Sequence, residues 1–157
     1  MIRCVFLVFF LLPNLAFAEG FKGYRTTTLD AIVEEWDGKT KNEGPGFSIS
    51  KPEKIKFTAA MRGAAVPCSN GALVAVLKIM NFTDLLKQVS VTHCVTFGSE
   101  RGRSVIAFIQ DTLVPGINTD VAVGRNVEIY SDFLAYQVSG DRARNTPILL
   151  INRFEPK

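Results

Sequence analysis

The sequence predicts a mainly β, α+β fold of about five strands, with one N-terminal helix and one inserted helix. Three observations carry this reading. In residues 89–97, Val89, Val91, His93, Val95 and Phe97 alternate with Ser90, Thr92, Cys94 and Thr96, ahead of the polar, glycine-flanked turn 98–102 and the apolar run 105–109. In 54–63, Ile55, Phe57, Ala59 and Met61 alternate with Lys54, Lys56, Thr58, Ala60 and Arg62. In 126–138 a third alternation is long enough to need a bend. Period two with β-branched and aromatic residues marks strands.

The first 18 residues do not fit this pattern. Arg3 supplies a short positive start, residues 5–12 are almost wholly apolar, and Ala16-Phe17-Ala18 matches a small-x-small cleavage site. The run is too short for a membrane span and reads as a secretory signal peptide. The expected organisation is therefore 1–18 signal peptide, 19–53 N-terminal helix and linker, and 54–157 β domain. The expected location is periplasmic or secreted, with no transmembrane segment after cleavage. The formal net charge of +3 over 157 residues falls further when Arg3 leaves, and it does not indicate a nucleic-acid protein by bulk charge.

Export gives the cysteines a meaning. Cys4 leaves with the signal, and Cys68 and Cys94 remain. An even pair in an oxidising compartment reads as a disulfide. The loop closed is about 26 positions long, for which chain entropy predicts roughly 3–4 kcal/mol. A redox thiol is the weaker reading, because no C-x-x-C is present.

Along the chain, Leu29, Ile32, Val33 and Trp36 fall at helical spacing after Thr26-Thr27-Thr28, so an amphipathic helix is expected over about 29–36. Residues 37–52 are rich in glycine, proline and charge and are expected to be loop, with Phe47 and Ile49 tucked against the core. In 69–88, Leu73, Val76, Leu77 and Met80 form a helical stripe that 81–84 breaks; a buried strand over 73–80 is the alternative. Asn81-Phe82-Thr83 also matches a glycosylation sequon. In 126–138 the apolar parity switches near Ser131–Phe133, which predicts a bulge or sharp bend. The polar loop 139–147 and a last strand at 148–151 follow.

The late segments "VAVGRNVEIYSDFLAYQV" and "PILLINRFE" resemble the OB-fold, a small Greek-key barrel of five strands. The resemblance covers about half of the mature chain. It implies a late strand bent around a bulge and a final strand that closes the barrel. In that family a helix lies between the third and fourth strands. Here 112–125, with Pro115, Gly116 and Gly124, is expected to lack one, and 69–88 stands as an insertion.

Chemistry is sparse. His93 is the only histidine and shares its parity with core valines. No metal site, cofactor or catalytic residue is expected: paired cysteines leave too few ligands for zinc, and no G-x-S-x-G elbow or phosphate loop occurs. The uneven feature is arginine. Arg101 and Arg103 flank the hairpin turn, and Arg142 and Arg144 lie in the loop before the last strand. Guanidinium groups suit carboxylates and phosphates. The leading expectation is an exported, disulfide-linked, OB-like, non-catalytic binding module whose four arginines accept an acidic protein, a glycan or another polyanion. The alternatives are a small exported hydrolase using His93 with a carboxylate such as Asp132, and a structural subunit of an envelope assembly.

Overall fold

The computed structural model describes residues 23–157. The proposed signal peptide lies outside the described residues. β1 (Arg25–Thr26) leads into α1 (Leu29–Lys39), whose start is fixed by Thr28: its hydroxyl accepts from the Ala31 amide at 3.0 Å. Leu29, Ile32, Val33 and Trp36 are buried, as their spacing predicted. The helix runs one turn further than expected. The expectation that 37–52 is loop is corrected: α1 takes its first residues, and β2 (Gly46–Met61) begins six residues before Pro52. The cause is long-range. Gly46–Ile49 pair with Val138–Ala135, and a register break between Ile49 and Glu53 absorbs the proline.

β3 (Val66–Pro67) precedes the insertion, which is helical: α2 (Gly71–Ile79) and the single turn α3 (Leu85–Gln88). Asn81 separates them at φ 59°, a left-handed conformation that asparagine tolerates. The hairpin is β4 (His93–Gly98) with β5 (Ser104–Ile109). β5 is buried at Val105, Ala107, Phe108 and Ile109, but Ile106 is 54% exposed, so the expectation of cover on both faces fails at that position. A 3₁₀ turn (Asp111–Leu113) and α4 (Val114–Asp120) follow, correcting the expectation that 112–125 holds no helix. Pro115 lies in the first turn, where no amide is needed. Gly116 meets the Phe154 ring, at 3.2 Å from where a Cβ would stand. β6 (Asn126–Val138) and β7 (Thr146–Pro156) complete the sheet.

The pairings run in a cycle. β2–β6, β6–β7, β4–β5 and β2–β4 are antiparallel, and β5–β7 is parallel. β1 adds to β2, and β3 to β4. One core lies against the inward residues of these strands and is closed by α1 and Ile117 of α4. A second lies on the opposite face, where Leu73, Val76 and Leu77 of α2 pack with Cys94, Phe108, Leu134, Ile148 and Leu150. Each such side chain contributes about 1.5–3 kcal/mol when fully buried.

The parity switch of β6 is real. Its register against β7 slips between Tyr130/Ser131 and between Phe133/Ala135. Val127, Ile129 and Phe133 belong to the first core, and so do Tyr136 and Val138 of the opposite parity. The inversion therefore falls at Leu134, just beyond the expected place. Tyr130 and Tyr136 consequently differ. Tyr130 packs edge-on against Tyr24, and burial with a hydrogen bond to Glu128 pushes its hydroxyl up to about 12. Tyr136 is fully buried beside Trp36.

Candidate functional site

The four arginines occupy one end of the sheet, where the β4–β5 turn and the β6–β7 loop meet. Arg103 makes the junction. Its Nη2 donates to the carbonyl oxygens of Asn145 at 2.9 Å and Arg142 at 3.3 Å, and its Nη1 pairs with Asp37 Oδ2 at 3.0 Å. Asp37, at the end of α1, also accepts from the Tyr136 hydroxyl at 2.9 Å and the Asn145 amide at 3.1 Å. Burial alone would raise this carboxyl; the hydrogen bonds from Asn145, Tyr136 and Arg103 outweigh it and hold the carboxyl below its ordinary value. Tyr136 is raised by burial and by the neighbouring carboxylate.

The other three arginines are exposed. Arg101 pairs with Glu34 and donates its amide to Asp30 at 3.3 Å. Arg144 lies 3.6 Å from Asp141, which caps the 3₁₀ turn Arg142–Arg144 by accepting from the Ala143 amide. Arg142 reaches the Lys41 carbonyl at 3.5 Å. Arg103 brings the two arginine-bearing turns into contact, and the four arginines are not equivalent. Arg103 is committed to Asp37 and to two backbone carbonyls, with both side chains less than a third exposed.

At the other end of the hairpin, His93 Nδ1 lies 2.9 Å from Asp111 Oδ1. Asp111 also accepts from the Ser90 hydroxyl and from the Thr92 amide and hydroxyl, and its own amide donates to the Ser90 carbonyl. Burial works against ionisation, but these hydrogen bonds hold the Asp111 carboxyl far below its ordinary value. Ser90 donates to the aspartate and not to the histidine, so a serine–histidine–aspartate relay is not assembled. His93 takes Asp111 and not Asp132, whose hydrogen bond is from Asn152 at 3.0 Å. The expected pairing of His93 with Asp132 is thus not formed. Residues 89–92, read as the start of the strand, leave it: Val91 joins the second core while Val95 and Phe97 line the first.

Cys68 and Cys94 form a disulfide with Cα atoms 5.7 Å apart, tying the start of the insertion to β4. Among the described residues no group of three or more His, Cys, Asp or Glu is arranged to hold a metal ion, and no helix is long and apolar enough to cross a membrane.

Asp111 and Asp37 were missed by the sequence reading. Asp111 was reachable by extending the hairpin register: His93 faces Ile109, so two further steps bring Asp111 opposite Val91. Asp37 had no such signal, because its partners come from three distant segments. Comparison of the sequence with protein-family models and with curated proteins gives no match.

Proposed function

We propose that this chain is an exported, disulfide-linked, OB-like binding module without catalysis, and that Arg101, Arg142 and Arg144 form its anion-accepting edge. The cyclic pairing of β2, β4, β5, β7 and β6, with β5 and β7 parallel, supports the OB-like reading, as does α4 between β5 and β6, the third and fourth of these five strands in chain order. In that fold the second and third strands and the flanking loops serve as the binding surface. Here α2 and the disulfide lie over the outer side of β4 and β5, which leaves the loops.

The observation that carries the proposal is the Arg103 junction, which brings the two arginine-bearing turns into contact. Arg103 itself is the anchor of this edge and not a contact for the partner. The ion pairs of Arg101 and Arg144 are exposed and worth only about 0–1 kcal/mol, so an anionic partner can displace them. The partner is an acidic protein, an acidic glycan or another polyanion, and its binding weakens with salt.

The test is retention on heparin at low salt, comparing wild type with Arg142→Glu/Arg144→Glu. Wild type is expected to bind and the double variant to elute at lower salt. Absence of wild-type binding, or equal elution, overturns the proposal.

A further inference from the structure

A cleft of about 400 Å³ lies where α2 and α3 meet the outer face of β2 and β6. That is within the size range of small-molecule sites. Its apolar lining is Pro52, Leu77, Phe82, Leu85 and Leu134, beside the polar Asn81 and Gln88. Three charged residues also line it, Lys54, Asp84 and Asp132. Lys54 and Asp132 are register partners across β2 and β6, so both side chains leave the sheet on the same face. They form no ion pair with each other. The Lys54 ammonium lies 5.8 Å from the centre of the Tyr24 ring, and Asp132 accepts from Asn152. Asn152 is the residue passed over where β7 slips against Tyr130/Ser131, and its side-chain oxygen is itself held by Gln110 at 2.8 Å. The bulge thus aims an amide that fixes one oxygen of Asp132; among the described residues none donates a hydrogen bond to the other. The second acid of the cleft, Asp84, is paired with Lys87 at 2.6 Å.

We propose that this cleft binds a free apolar α-amino acid. A fixed carboxylate beside an ammonium, under apolar walls, complements a molecule that carries an ammonium and a carboxylate on one carbon together with an apolar side chain. Asp132 receives the ligand ammonium, Lys54 receives its carboxylate, and Leu77, Leu85 and Leu134 take the side chain. A wholly apolar ligand would leave both charges unmatched, and a polyanion would meet Asp132 and Asp84. The site is separate from the arginine edge and does not depend on it.

The test is calorimetric titration of the protein with L-phenylalanine and L-leucine. Saturable binding is expected. N-acetyl-L-phenylalanine, which lacks the ammonium, and L-phenylalaninamide, which lacks the carboxylate, should each bind at least about tenfold more weakly, the equivalent of one lost charge-assisted contact. Asp132→Asn and Lys54→Met should do the same for the parent amino acids. The blocked ligands carry the test even if a variant fails to fold. No binding by the wild type, or equal binding of free and blocked ligands, overturns the inference. Absence of heparin retention by the wild type, with amino-acid binding intact, would count against the arginine edge alone.

Discussion

Arg103 and Asp37 join the start of β5 to the end of α1 through a 3.0 Å ion pair, and the same two side chains hold the β6–β7 loop through Asn145. Three segments distant in sequence therefore share one half-buried polar network. Removing one partner from such a network leaves the other groups short of hydrogen bonds.

Arg103→Met is accordingly expected to destabilise by about 1–3 kcal/mol, the range for hydrogen bonds to charged groups, with the lower end reflecting partial exposure. Arg103→Lys should recover only part of this, because one ammonium cannot reproduce the planar fork that reaches Asp37 and two carbonyls together. Urea unfolding measures both. A loss under about 0.5 kcal/mol for Arg103→Met would show that the junction is not structural.

The acid limb of stability follows from Asp37 and Asp111. Both carboxyls are held below their ordinary value of 3.8 in the folded state. A depressed carboxylate contributes its full stability above the unfolded value, and that contribution is lost as pH falls through the folded value. The unfolding midpoint should thus be flat near neutrality and fall below about pH 4. Asp111→Asn should lower the midpoint at pH 7 and flatten the decline between pH 4 and pH 2. An unchanged acid slope in that variant would remove Asp111 as a source of the dependence.

β2 was legible in the sequence because one of its faces is buried and the other is wet over residues 54–61. Ile55, Phe57, Ala59 and Met61 are inward and buried, and Lys54 and Thr58 are exposed, as the alternation required. Two segments were not legible, for different reasons. Residues 46–49 are extended because they pair with the far end of β6, a partner that local composition does not reveal. α4 was obscured by Pro115 and Gly116, which act as helix breakers only away from the first turn and away from a close neighbour. The arginines could be found by counting residue types. Which of them is bound to Asp37 could not, because that depends on where the end of α1 meets β5.

Gly116 tests the close-neighbour explanation. Alanine in a helix interior is favoured over glycine by about 0.8–1.0 kcal/mol. Here the new methyl group would meet the Phe154 ring at 3.2 Å, so part or all of that gain should be lost. In a Phe154→Leu background the obstruction is removed, and Gly116→Ala should then stabilise. A double-mutant cycle by thermal unfolding reads the coupling directly. Equal effects in the two backgrounds would mean that the ring does not restrict the position.

The disulfide should act locally as well as globally. It joins the residues just before α2 to β4, and α2 rests on the second core, whereas β2, β6 and β7 are joined to each other by ladders of their own. Its removal by Cys68→Ser/Cys94→Ser should cost about 3–4 kcal/mol overall, the value for a loop of this length. The loss should not be uniform. Amide exchange should rise most in Gly71–Ile79 and Leu85–Gln88, because without the tether the insertion keeps only side-chain packing, the Asn70 side-chain hydrogen bond to the Val91 carbonyl at 2.8 Å and the short β3–β4 pairing. β6, paired on both sides, should keep most of its protection. The cleft depends on the insertion for more than half of its lining, so amino-acid binding there should weaken in the same variant while heparin retention at the distant arginine end persists. A uniform rise in exchange across the insertion and β6 would show that the bond braces the whole domain. Free thiols in exported material, found by non-reducing peptide mapping, would show that the bond does not form at all.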